Sequence, residues 1–222
     1  MSRNLDTNSL RGKSYVVFFG EDDHDRNAIK ILLFELIKEP TRFRPKVLRK
    51  PLSLVKGVER AKQLDRVAKV RAVVRALNAV VPVYATVFHQ DADDCEPAHM
   101  AIEEAIKSLY SSLPGAIIAA VPAWELESWW FLFPSAVGSL HKAWRDPDQY
   151  VGKDVGKIRD SKEKLMACVR PNSLRRGIRF ADYAEADSER IAQRIVELGI
   201  ARTPAGKSQS WESFVRQVES LQ

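Results

Sequence analysis

Three short apolar runs constrain this chain more than any other feature. Tyr15-Val16-Val17-Phe18-Phe19, Val83-Tyr84-Ala85-Thr86-Val87-Phe88 and Ala116-Ile117-Ile118-Ala119-Ala120-Val121 are rich in β-branched and aromatic residues and apolar at nearly every position. They are too short for helices and lack the alternation of a strand with one wet face. Strands buried on both faces belong to parallel sheets covered by helices. Helical periodicity fills the gaps. Asn27 to Lys38 carries Ile29, Leu32, Leu33, Leu36 and Ile37 on one stripe, and Pro40 ends it. Val58 to Val80 repeats Ala61, Leu64, Val67, Val70, Val74 and Leu77 before Pro82, and Glu96 to Ser112 turns Ala98, Ile102, Ala105, Ile106 and Leu109 inward.

This β-α-β-α-β-α alternation predicts an α/β fold with a mostly parallel central sheet flanked by helices. Phe43 to Arg49 reads as a further, basic strand, and Pro122 opens a helical segment. Beyond Pro134, short helices are expected over Asp160–Val169, Asp187–Leu198 and Ser210–Leu221. The division that follows is an α/β core over residues 14–133 and a mainly helical C-terminal extension over 134–222, packed on that core.

Several classes fall away. Cys95 and Cys168 are the only cysteines and neither has a neighbour at metal-ligand spacing, so a zinc ribbon is excluded. Met1 to Lys13 is polar and has no apolar signal core. The most apolar stretch, Gly115 to Leu140, is interrupted by Pro122, Glu125, Glu127 and Pro134 and makes a poor membrane span. A soluble cytoplasmic protein is the expectation. No G-x-x-x-x-G-K-S/T phosphate loop is present, which weakens a nucleotidyl transferase or phosphatase reading.

Charge is unevenly placed. The chain carries a formal +6, yet two acidic clusters follow two of the strands: Glu21-Asp22-Asp23-His24-Asp25 and Asp91-Ala92-Asp93-Asp94. In an open parallel sheet, ligands bind beyond the carboxyl ends of the strands. Hard divalent cations prefer carboxylate oxygens. Asp91 and Asp93 are two apart, which in extended chain places both on one side. Glu21, Asp91 and Asp93 are therefore the candidate catalytic ligands, with Asp25, Asp94 and Glu127 as auxiliary ligands. Either cluster alone has an ordinary explanation, since Asp caps helices and makes turns; Asp25 is the expected cap of the first helix. Glu125 and Glu127 cannot share a helix face, so one is expected at the site and the other away from it. His24 lies inside the first cluster and His89 just before the second; both are read as structural, with proton transfer as the alternative.

From Arg42 to Arg75 there are twelve Lys or Arg against two acids, a local net charge of +10. Such a block is a footprint for phosphate-rich partners, or else a solvated helix face. Arg49, Lys50, Lys62, Arg66 and Lys69 are the candidate nucleic-acid contacts. The tryptophans after the last strand are expected in the core.

Glu21-Asp-Asp-His-Asp25 followed by Asn27-Ala-Ile-Lys-Ile-Leu-Leu resembles the Glu-Gly-x-Thr-Asp/Glu signature that opens a Toprim domain, the catalytic module of topoisomerases, primases and overcoming-lysogenisation-defect nucleases. Asp91-x-Asp93 resembles its Asp-x-Asp motif. The likeness is greatest to a Toprim-like family of unknown function from prokaryotes, in which a Glu-x-Glu/aromatic segment follows the last core strand, as Glu125 to Trp130 do here. Ser161-Lys-Glu-Lys-Leu and Tyr183-Ala-Glu-Ala-Asp-Ser are similar to that group too. The resemblance covers residues 14–133 and, loosely, the rest. It departs at Asp22, where the signature has Gly. It implies a Toprim-like Rossmannoid core, a site for one or two Mg²⁺ or Mn²⁺ ions, nuclease-like work on DNA or RNA, a place in phage defence, and an ATPase partner.

Two functions follow as expectations. One is a Mg²⁺-dependent nuclease-like enzyme cleaving phosphodiester bonds, for which two oxygen-ligated metals are a standard device. The other is a catalytically weak or inactive module that docks to an ATPase or to nucleic acid.

Overall fold

The structure, a computed structural model, describes residues 13–20, 22–48, 60–172 and 179–221, with residues 60–62 described by their backbone alone. Four strands, β1 (Ser14–Phe19), β2 (Phe43–Val47), β3 (Val83–His89) and β4 (Ala116–Ala120), form one sheet in the order β2-β1-β3-β4, and every pairing is parallel. The helices are α1 (Asp23–Leu36), α2 (Arg60–Val80), α3 (His99–Tyr110), α4 (Glu127–Trp130), α5 (Pro134–Gly138), α6 (Ser161–Val169), α7 (Asp187–Leu198) and α8 (Gln209–Glu219).

Alternation along the strands sorts the core into two layers. Val16, Phe18, Val87, Ile118 and Ala120 face α1 and the helices of the C-terminal segment. Val17, Phe19, Phe88 and Ala119 face Val67, Val70 and Val74 of α2 and Ile106 and Tyr110 of α3. Phe88 stacks between Phe19 and Tyr110, at 5.4 and 4.2 Å between ring centres. This is an α/β protein with a helix layer on each face of a parallel sheet, consistent with a Rossmann-like fold. The C-terminal helices share the first layer: α7 lies along α1 and α8 against β4. Gln217 of α8 covers the free edge of β4, accepting from Ala119 N at 3.0 Å and donating to Ala119 O at 3.1 Å. A side-chain amide thus stands where another strand would pair.

Some expectations change in detail. The third helix is shorter than Glu96 to Ser112, and the segment after Pro122 turns through a left-handed Trp124 (φ 59°) before α4 begins. On α2, Leu64 is 60 % exposed although its spacing put it on the buried stripe. Of the tryptophans in the segment after Pro122, Trp129 and Trp130 are buried as expected and Trp124 is half-buried; Trp144 and Trp211 are buried as well. No helix among the described residues is long and apolar enough to cross a membrane.

Candidate functional site

The chain leaves β1 toward β2 on one side and returns to β3 on the other, so the strand order reverses between β1 and β3. In open α/β sheets the crevice at this switch point, beyond the carboxyl ends, is where ligands bind. Gly20 ends β1 there. A methyl group at Gly20 would collide with the Arg26 side chain and press on Cβ of His89, so glycine is what lets these two buried side chains close over the strand end.

Asp22 starts α1. Its Oδ1 accepts from His24 N at 2.7 Å and from Asp25 N at 2.9 Å. Its backbone is extended (φ −130°, ψ 175°), a conformation open to any residue. The expected cap, Asp25, is not the cap: Asp22 is, and Asp25 is inside the first turn. A capping carboxylate at a helix N-terminus is a favourable place for Asp.

Freed from capping, Asp25 turns into the crevice and is 7 % exposed. It meets His89, the last residue of β3 and 1 % exposed, and Asp91 just beyond. Single ligand atoms of Asp25, His89 and Asp91 all lie within 4.8 Å of one another. His89 Nε2 is 3.3 Å from Asp91 Oδ1. Burial pushes the Asp25 carboxyl well above its usual range, and so do its hydrogen bond to Asp22 and the negative charges of Asp91, Asp22 and Glu127. Burial works against the Asp22 charge as well, but hydrogen bonds from the Asp25 side chain and amide hold it below the usual value.

Glu125 and Glu127 take different partners, although both feel the charge of Asp91. Glu127 is buried, and burial together with the charges of Asp91 and Glu125 moves it from 4.5 up to about 7 against the opposing hydrogen bond from Tyr183. Tyr183 Oη donates to Glu127 Oε1 at 2.9 Å. Glu125 instead accepts from Ser161 Oγ and Lys162 N, both at 3.3 Å, and so caps α6 from a distant segment. The Lys162 ammonium is ion-paired with Glu185 and within electrostatic reach of Glu127 and Glu125.

The other candidates part company with this group. Glu21 lies outside the described residues, as do Arg49, Lys50 and the side chain of Lys62. Asp93 and Asp94 are exposed and are not members of the Asp25–His89–Asp91 group. The reason is local: β3 ends at His89, and Asp93 has a left-handed backbone (φ 48°), so the alternation that would align Asp91 with Asp93 stops before it reaches them. Asp94 Oδ1 accepts from Cys95 N at 2.7 Å. Lys69 is exposed on α2 and pairs with Asp65 at 2.6 Å, and Arg66 is half-buried on the same helix.

The donor set fits a divalent cation. Buried carboxylates need a positive partner, and Asp91 Oδ1 is buried without a hydrogen-bond donor. Two oxygens and an imidazole nitrogen depart from the all-oxygen set preferred by Mg²⁺ and suit Mn²⁺ better. Sequence reasoning gave His89 little weight, although its place two residues before Asp91 on an extended chain was a usable signal. Tyr183 stands out in sequence only as part of the Tyr183-Ala-Glu-Ala-Asp-Ser fragment, and nothing there ties it to Glu127, 56 residues away.

Fold and site together define a Rossmann-like α/β protein with a buried acidic centre at its switch point. No protein-family model, no curated protein and no solved structure matches the chain.

Proposed function

We propose that the protein is a Mg²⁺- or Mn²⁺-dependent phosphodiester hydrolase acting on DNA or RNA. The observation that carries this reading is the convergence of Asp25, His89 and Asp91, with Glu127 beside them, at the switch point of a parallel sheet. Asp25, Asp91 and His89 are the residues that would hold a cation. A cation there supplies Lewis-acid activation of a phosphate oxygen and a more acidic water. Glu127, moved to about 7, is suited to accept and release a proton near neutral pH. Lys162 and the basic residues of α2, Arg66 and Lys69 among them, supply positive charge for the phosphate backbone. The resemblance adds a setting in phage defence with an ATPase partner.

The test is nicking of supercoiled plasmid and cleavage of labelled RNA in Mg²⁺ or Mn²⁺. Asp91→Ala and Asp25→Asn should each lower the rate by about 100-fold or more, beyond the 10–100-fold that outer-shell partners alone command. Equal cleavage by wild type and both variants sinks the proposal. The separation of Asp93 from the group favours a second reading, a module that docks to nucleic acid or an ATPase without cleaving. Absence of calorimetric Mg²⁺ or Mn²⁺ binding at millimolar concentration selects that reading.

A further inference from the structure

We infer that Tyr183 is a positioning residue for the acidic centre, so that the C-terminal helical segment completes a site whose other members come from the strand ends. This rests on the cation-binding reading above and deepens it.

The hydroxyl of Tyr183 is 3 % exposed as a residue and sits in the segment that leads into α7. It donates to Glu127 Oε1 at 2.9 Å and lies 2.7 Å from Ser188 Oγ. Ser188 Oγ accepts from Trp130 Nε1 at 3.3 Å. The chemistry of the groups fixes the direction of this chain. An indole nitrogen only donates, and the Glu127 carboxylate, in the ionised form that would face a cation, only accepts. Tyr183 has a single proton and gives it to Glu127, so Ser188 must donate to Tyr183. The order is Trp130 Nε1–H to Ser188 Oγ–H to Tyr183 Oη–H to the Glu127 carboxylate, with every donor pointing at the acid. Such a run polarises bond by bond and favours the charged carboxylate at its end.

The chain is also closed in space. Trp130 and Glu127 lie on the same short helix, α4, and residues 183–188 bridge one to the other. A rigid indole therefore anchors the relay that fixes Oε1 of Glu127. Glu125, two residues earlier, receives no such relay and is spent on capping α6.

Mn²⁺ affinity measured by calorimetry tests this on the full chain. Tyr183→Phe removes one oxygen and should weaken Mn²⁺ binding about 10–100-fold, the range for a group that orients a ligand. Glu127→Gln should weaken it as well, and adding Tyr183→Phe to Glu127→Gln should change it less than twofold. A Tyr183→Phe variant that binds Mn²⁺ like wild type overturns the inference, as does equal weakening with and without Glu127. Wild type that binds no Mn²⁺ overturns the cation-binding reading itself, and this inference with it. Should Tyr183→Phe fail to fold, Ser188→Ala interrupts the same relay one step earlier. A several-fold weakening that vanishes in the Glu127→Gln background supports the role, and unchanged binding overturns it.

Discussion

His89 Nε2 faces Asp91 Oδ1 across 3.3 Å at the carboxyl end of β3, with the imidazole almost wholly buried. The strand fixes the histidine, and the aspartate reaches it from the first loop residues. A nitrogen donor in an otherwise carboxylate group changes which ion is preferred. His89→Ala should lower Mn²⁺ affinity about 10–100-fold and Mg²⁺ affinity far less, narrowing the preference between the two ions. Calorimetry with both ions reads the ratio. An unchanged ratio would mean that His89 orients Asp91 and does not itself bind.

The pH dependence of stability has a definite sign. Glu127 titrates higher in the folded chain, at about 7, than its ordinary 4.5. A carboxyl raised by folding stabilises fully below its unfolded value and loses that contribution as pH rises through the folded one. The metal-free protein should therefore lose stability between about pH 4.5 and 7, by an amount on the order of 3 kcal/mol from this group. Asp25, raised for the same reason, carries the loss to higher pH. Thermal melts across this range should slope downward in wild type and less steeply in Glu127→Gln, where Asp25 alone maintains the trend. Mn²⁺ should reverse the trend, since its binding needs the ionised carboxylates. A flat wild-type profile refutes the burial argument.

Much of the fold was legible because the strand signal is composition over five or six residues, which no distant contact needs to supply. Runs 15–19, 83–88 and 116–121 became β1, β3 and β4, and Asp187–Leu198 matches α7. Asp25, Asp91 and Glu127 were legible as candidates because each sits near a strand end. Their partners were not. Tyr183 reaches Glu127 from 56 residues away, and Glu96 meets Ser210 from 114 residues away. Only packing brings these together. Asp91 and Asp93 read as a same-side pair only when strand periodicity is extended past His89, where β3 ends, to Asp93, whose backbone is left-handed.

Glu96 is another buried carboxylate, with a different task. It accepts from Ser208 Oγ at 2.7 Å and from the amides of Gln209 and Ser210 at 2.9 Å each, so it holds the first turn of α8. Burial opposes its charge, but these hydrogen bonds keep its pKa below the usual range. Its contribution is present above the unfolded value and is lost as pH falls through the folded one. Glu96→Ala should destabilise by about 3 kcal/mol or more, since hydrogen bonds to a charge contribute roughly 1.5–3 kcal/mol each. That corresponds to a Tm lower by roughly 6–12 °C for a chain of this size. Mn²⁺ affinity should stay within about twofold, because Glu96 is no member of the Asp25–His89–Asp91 group. Gly156→Ala should destabilise by the same route, since its methyl would land on the Glu96 carboxylate. A stable Glu96→Ala variant with lost metal binding would reassign this residue to the site.

Asp93 separates the proposed centre from a simple Asp-x-Asp pair. Its amide donates to Trp124 O at 2.9 Å, and the Trp124 amide donates to Asp94 O at 2.8 Å, so the two loops are laced together by backbone. Both Asp93 and Trp124 hold positive φ, 48° and 59°. Asn tolerates that conformation well and a β-branched residue does not. Asp93→Asn should therefore keep the stability of wild type, while Asp93→Val should cost about 1–3 kcal/mol through backbone strain. In calorimetry, Asp93→Asn should bind the first Mn²⁺ as wild type does, whereas Asp91→Asn should lose it. Chemical denaturation of the three variants beside these titrations separates strain from ligation. Loss of Mn²⁺ binding in Asp93→Asn at wild-type stability would show that Asp93 swings into the crevice when the ion arrives, and would restore the Asp-x-Asp pair as the ligand set.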